Sequence, residues 1–354
     1  MDTDFIYPRQ YVQSHLAFHI IYYALVPAIS FFGNLFTFII VCKISKYRKS
    51  VQDSLVGALA LNDVLTAIIV MLPSLIAEIW GRYFGSKIFC EFSAVTVVWY
   101  IYTTFAIIVL ISVERWIAIS KPFLYKRMAI TPTFMKGVVG CLGCFCLLLA
   151  SIPLFIYPVT LKSGWYCSMV TFETTNITFN GTTTFEVTEI PVNEVLFIKI
   201  AFLTVGITLL LSCNISIAYQ LTRKKSFDLR SNRLERKFAK LMWVVAICFL
   251  LTWLPNLFAR FACAQGSGKC EIVKFYAMKV VMAGCAVNPL VYGVMKKTYR
   301  RGYIYLTRMT LHYSTFTLIP APKYGEEIFD LREGIRVNAG SSSGTRASTS
   351  VSAA

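Results

Sequence analysis

Long apolar stretches alternate with short polar connections from about His19 to Met295. Seven stand out, centred on Ala28 to Val41, Leu55 to Ile76, Val95 to Ile119, Gly137 to Tyr157, Val195 to Tyr219, Leu241 to Phe261 and Val273 to Val294. About 20 apolar residues in a helix rise about 30 Å, the hydrocarbon thickness of a bilayer. The pattern therefore predicts an all-α membrane protein, a seven-transmembrane helix bundle over residues 19–295, preceded by an extracellular amino terminus over 1–18. A soluble chain with that many wholly apolar helices would lack the polar surface to cover them. Composition agrees, with 56% hydrophobic and 15% charged residues in 354.

Charge adds direction. Lys43, Lys46, Arg48 and Lys49 follow the first stretch, and Lys121, Lys126 and Arg127 follow the third. Arg223, Lys224, Lys225, Arg230, Arg233, Arg236 and Lys237 lie between the fifth and sixth, and Lys296, Lys297, Arg300, Arg301 and Arg308 follow the seventh. Every second connection is basic, which places these regions in the cytoplasm. A multi-pass plasma-membrane protein is expected, amino terminus outside and carboxyl terminus inside. The net charge of +17 then reflects topology and anionic membrane lipids. Nucleic acid is discounted as a partner, because no basic stripe carries interleaved exposed aromatics. The first 18 residues lack a basic region followed by an apolar core, so the first span is expected to act as the export signal.

Residues 296–310 mix basic and aromatic side chains, as in an amphipathic eighth helix on the inner leaflet. Residues 311–354 read as a largely disordered cytoplasmic tail. Its hydroxyls from Ser341 to Ser350 are either passive or, once phosphorylated by a receptor kinase, an acidic strip for arrestin. On the outer side, Asn176-Ile-Thr and Asn180-Gly-Thr are glycosylation acceptors between spans four and five. Most cysteines lie in apolar runs and read as small buried hydrophobes. Cys90 and Cys167 face the oxidising side, where a bridge between them is expected, and Cys263 with Cys270 is expected to close the third outer loop.

Polar residues inside the bundle carry the candidate chemistry. Asp63 lies mid-membrane, where a carboxylate is expensive unless paired, protonated or ion-bound. With Thr104 and Asn288 it forms either an allosteric sodium site or a water-filled polar cluster. Phe249, Trp253 and Pro255 are either packing around a kink or a bistable hinge, and Pro289 kinks span seven. Glu114 and Arg115 sit at the inner end of span three. Arg115 either snorkels to lipid phosphates or is held by Glu235, with Tyr219 and Tyr292 placed to reorganise around it. The histidines, His15, His19 and His312, lie near the chain ends, without a triad, phosphate loop or metal cluster. No enzyme and no cofactor beyond that sodium are expected.

These residues together resemble the rhodopsin-like (class A) G-protein-coupled receptors over about residues 19 to 309. The resemblance rests on Gly33-Asn34, Leu59 to Asp63, Cys90 with Cys167, Glu114-Arg115, Trp253-Leu254-Pro255 and Asn288 through Tyr292. It implies an extracellular ligand that biases a helix rearrangement and opens an inner groove to a heterotrimeric G protein. Glu114 replaces the commoner aspartate, Trp116 the common tyrosine, and Leu211 the usual proline of span five. A transporter is the rival architecture, but no inverted repeat is visible.

Ligand class is read more finely. The aspartate of biogenic-amine receptors falls at Val97, and the retinal-binding lysine of opsins at Met282. Ser54 to Asp63, Ser112 to Arg115, Lys121-Pro122-Phe123-Leu124-Tyr125 and Leu211 to Asn214 resemble the prostanoid branch, nearest the prostaglandin E receptors. That likeness puts Lys279 where the branch holds a fatty-acid carboxylate, with Glu78, Trp165 of the outer lid and Trp253 around it. An intramembrane cation suits a lipid acid independently of the likeness, although Lys279 pairing with Glu78 is an alternative. The expected ligand is a prostaglandin-like lipid acid; another lipid or a short peptide is the alternative.

Overall fold

The structure, a computed structural model, describes residues 16–47, 50–80, 86–156, 159–162, 166–169, 171–179, 182–190, 193–223, 231–262 and 268–314. Seven helices are long and apolar enough to cross a membrane, running Ile21–Ser45, Val51–Ile76, Ile88–Ser120, Pro132–Ile152, Ile200–Gln220, Lys240–Ala259 and Val273–Met295. Trp165, Asn180, Cys263 and the tail from residue 315, read above from sequence, lie outside the described residues.

The first span is α1 (Leu16–Ala28), a π segment (Ile29–Gly33) and α2 (Asn34–Tyr47). The second repeats the plan as α3 (Val51–Thr66), a π segment (Ala67–Met71) and α4 (Leu72–Trp80). Pro27 and Pro73 stand beside these wide turns, where a missing backbone donor loosens the regular ladder. The two π segments lie against each other. Then come α5 (Lys87–Ser120), the short α6 (Pro122–Arg127), α7 (Pro132–Ile156), α8 (Asn193–Arg223), α9 (Ser231–Ala262) and α10 (Gly268–Met295).

Caps set several starts: the Ser50 hydroxyl accepts from the Asp53 N–H at 3.4 Å, and that of Ser86 from Phe89 at 3.3 Å. Pro122 begins α6, where its missing N–H has no helical partner to lose.

The central member is α5, packed against α3, α7 and α8. Polar pairs stitch it to α8 at successive turns: Asn214 to Ser112 at 3.1 Å, Trp116 to Ser216 at 3.0 Å and Gln220 to Ser120 at 2.5 Å. In hydrocarbon such pairs replace the hydrophobic drive that holds soluble helices together. Asn214 is buried and is bonded also to the Leu210 carbonyl. Gly33 lets the first span touch the seventh, since a Cβ there would lie 2.7 Å from Cγ of Pro289.

The connection between spans four and five is not the plain loop the sequence suggested. It holds two antiparallel hairpins, β1 (Val159–Lys162) with β2 (Tyr166–Met169), and β3 (Thr171–Phe179) with β4 (Thr182–Ile190). Both long strands are rich in Thr, Ile, Val and Phe, which favour extended backbone. Asn176 lies in β3 opposite Phe185, and β1 and β2 rest on α5.

From Tyr292 onward the described residues belong to a second compact unit. Its described part, 292–314, holds the end of α10 and then α11 (Lys297–Ser314), an additional helix after the seven spans that ends at Ser314 rather than at residue 310. Tyr299, Gly302 and Tyr305 lie on a buried face, whereas Lys297, Arg300, Arg301 and Arg308 are exposed. Tyr292 is buried, with its ring 5.7 Å from that of Tyr299.

Candidate functional site

Near the carboxyl end of α5, Glu114 and Arg115 are both buried. Arg115 donates through Nε and Nη2 to the two carboxylate oxygens of Glu114. The fork geometry of guanidinium matches the two oxygens of a carboxylate. Tyr125, on α6, adds its hydroxyl to Oε1 of Glu114 at 2.7 Å. Burial and then the negative Glu114 push the Tyr125 hydroxyl above its ordinary range, so it remains protonated and donating. The Glu235 side chain lies outside the described residues, and Tyr219 is exposed on α8. The sequence reading missed Tyr125, although it stands in the quoted Lys121-Pro122-Phe123-Leu124-Tyr125 run.

In mid-bundle, Asn288 donates its amide to Oδ2 of Asp63 at 2.8 Å, while Oδ1 of Asp63, also buried, has no hydrogen-bond partner among the described residues. Asn34 ties the first span to the seventh, donating to the Ser30 carbonyl at 2.9 Å and the Cys285 carbonyl at 3.0 Å. The hydroxyl of Thr104 accepts from Asn62 at 2.9 Å, and that of Tyr100 meets the Cys285 sulfur at 2.5 Å.

The candidate sodium ligands Asp63, Asn288 and Thr104 each engage a protein group here. Asn288 presents an N–H group to Asp63, Thr104 is engaged by Asn62, and the nearby thiol is a soft donor. A hard cation there would use Oδ1 of Asp63 together with the Asn288 and Thr104 oxygens or water.

Above this cluster, Phe105 stacks on Phe249 with centroids 5.6 Å apart and planes at 15°, and Phe249 meets Trp253 at 5.1 Å. Phe202 closes the cluster edge-on to Phe105 at 5.6 Å. Spans three, five and six therefore share one aromatic junction, just before Pro255 of α9.

Toward the opposite end, Lys279 on α10 is buried, with 6% of its surface exposed. Its ammonium lies 3.9 Å from the ring centroid of Tyr23, 4.5 Å from Phe275 and 4.9 Å from Tyr22. It also contacts the Tyr23 hydroxyl. His19 joins the group through Tyr276, 3.2 Å from its Nε2. Ring faces partly compensate a cation for lost water. These first-span aromatics were missed, and His19 was set aside for its nearness to the chain end. Their signal was the aromatic run Phe18-His19 and Tyr22-Tyr23, which puts side chains on adjacent turns of one helix.

Val97 is half-buried and packs with Phe31, Met278 and Trp253 around the apolar core. Met282 is buried, and Cys90 is held in a disulfide. The side chains of Glu78, Cys167, Cys270 and Asn176 lie outside the described residues. Among the described residues, no group of three or more His, Cys, Asp or Glu is arranged to hold a metal.

A profile described as 7 transmembrane receptor (rhodopsin family) matches residues 33–292. Trace amine-associated receptor 7d of Mus musculus is 26% identical over 286 residues, covering 76% of each chain. Prostaglandin E2 receptor EP4 subtype of Homo sapiens is 30% identical over 107 residues, which is 29% of this chain and 22% of that receptor. Neuropeptide Y receptor type 6 of Mus musculus is 23% identical over 309 residues, 81% of this chain and 79% of that receptor.

Proposed function

From the premise that this chain belongs to the rhodopsin family of seven-transmembrane receptors, we propose that its ligand is an acidic lipid of the prostaglandin type, anchored by Lys279. Members of the family are signal-transducing receptors, not enzymes. The chain is a multi-pass membrane protein that binds a small extracellular ligand and couples to G proteins.

The buried cation carries the ligand reading. A charge inside the membrane selects an opposite charge, because each alone loses more hydration than it recovers. An amine ligand, the reading favoured by the longer likeness to trace amine-associated receptors, needs a buried carboxylate. Among the described residues the buried carboxylates are Asp53, Asp63 and Glu114, none of them beside Lys279, and Val97 is apolar. The local likeness to the prostaglandin E2 receptor supports the acid. In a G-protein activation assay on surface-expressed receptor, oxygenated fatty acids are expected to activate, their methyl esters less so. Activation confined to amines or to short peptides would overturn the acid.

The basic connections support an outer amino terminus and a cytoplasmic tail open to receptor kinase and arrestin. Non-reducing peptide mapping of mature protein should recover Cys90 linked to Cys167, with glycan on Asn176 or Asn180. Cys90 linked elsewhere, or both asparagines bare, would refute that outer face.

On the inner face, Tyr125→Phe removes one of the groups that hold Glu114 against Arg115. A hydrogen bond to a charged group contributes about 1.5 kcal/mol, but the ion pair itself remains. Basal signalling is expected to rise only about two- to threefold at matched surface expression. A basal level equal to wild type would assign Tyr125 no part in the resting state.

A further inference from the structure

The box around Lys279 is built largely by the first span. Tyr22 is fixed by its hydroxyl, which donates to the Lys279 backbone carbonyl at 2.7 Å. Tyr23 is oriented differently: His19 stacks on its ring at 6.4 Å, and its hydroxyl oxygen receives a hydrogen bond from Nζ of Lys279. An ammonium has donors only, so in that contact the phenol oxygen is the acceptor. The Tyr23 proton therefore remains available for another acceptor at the same corner. The Lys279 ammonium and the Tyr23 hydroxyl are adjacent, so one carboxylate at that corner can meet both donors.

We propose that Tyr23 is a ligand-contacting, specificity-determining residue, and that Lys279 and Tyr23 form a two-point carboxylate subsite at the seam of the first and seventh spans. One ligand oxygen takes the ammonium and the other takes the phenol. This rests on the reading of the ligand as an acidic lipid. An ester keeps one carbonyl acceptor and loses the charge, so it meets the two donors poorly. Tyr22 lies almost as close to the ammonium, yet its proton is committed to the helix backbone and its role is confined to the box.

The test measures affinity ratios, acid over methyl ester, on full-length receptor purified into nanodiscs. The probes are prostaglandin E2, arachidonate and a hydroxylated C20 acid, each with its ester. Both affinities come from one preparation, so a partial loss of folded receptor cancels in the ratio. Wild type is expected to favour the acid, and Tyr23→Phe, which keeps the ring, to lower the ratio about five- to tenfold through the acid alone. In a Lys279→Ala background, Tyr23→Phe should lower the ratio by less than about twofold, because the acid is no longer held there. A collapsed ratio in Lys279→Ala with an undiminished one in Tyr23→Phe overturns the role of Tyr23 and leaves the acid reading standing. A wild-type receptor that binds none of these acids, or binds acid and ester alike, overturns both.

Discussion

Lys279→Ala is expected to weaken the response to an acidic lipid by about 2–3 kcal/mol, roughly 30- to 140-fold, at matched surface expression. The size follows from burial: with 6% of its surface exposed, the cation meets a partner in a medium that penalises either charge alone. Lys279→Arg should retain more of the response, because the charge persists while the fork geometry shifts its donors. Esterifying the ligand should cost little further in the alanine variant, since both changes remove one interaction. Losses that add in full would show that Lys279 and the carboxylate act separately. Equal losses for acid and ester would point to a structural pairing, with Glu78 the first partner to examine.

Gly206→Leu is expected to abolish surface expression, and Gly206→Ala to destabilise the receptor by about 1–3 kcal/mol. Gly206 on α8 faces the edge of the Phe105 ring, and even a Cβ would overlap it. Phe105 is 1% exposed and is packed by Phe202, Phe249 and Trp253, so the ring has nowhere to retreat. Thermal midpoints of solubilised receptor measure the alanine effect. Adding Phe105→Leu to Gly206→Ala should recover part of the loss, because the smaller side chain yields the space. A Gly206→Ala receptor as stable as wild type, or a double variant with purely additive loss, would remove the contact from the account.

The spans were legible because their signal is local: length and apolarity decide each one without reference to a neighbour. Asp63 with Asn288 was legible because polar groups in hydrocarbon must find one another, whereas for Arg115 the sequence offered lipid phosphates or Glu235 and not the adjacent Glu114. What escaped depends on distant chain segments. Lys279 and Tyr23 are 256 residues apart, and no periodicity in either span announces the other. The reading of Asp63, Thr104 and Asn288 as one cluster could not give the direction of the Asn288 amide, which donates to Asp63. The hairpins β3 and β4 were hidden because their Thr- and Phe-rich alternation was read only as a glycosylated connection. Tyr125 was noticed as part of a motif, and its reach to Glu114 depends on how α6 folds back.

The two π segments affect how this receptor is compared with its relatives. Each widened turn takes up one residue beyond the regular helix, and one residue turns a helix by about 100°. Landmarks on one side of a widened turn, such as Asn34 and Asp63, therefore do not set the count for the part of the span on its other side. A relative lacking either widened turn would align faithfully below it and one position out of step above it. Its residue at the aligned place of Tyr23 or Glu78 would then face a different neighbour. Superposed backbones, rather than aligned letters, are the proper basis for judging which receptors share the lysine box.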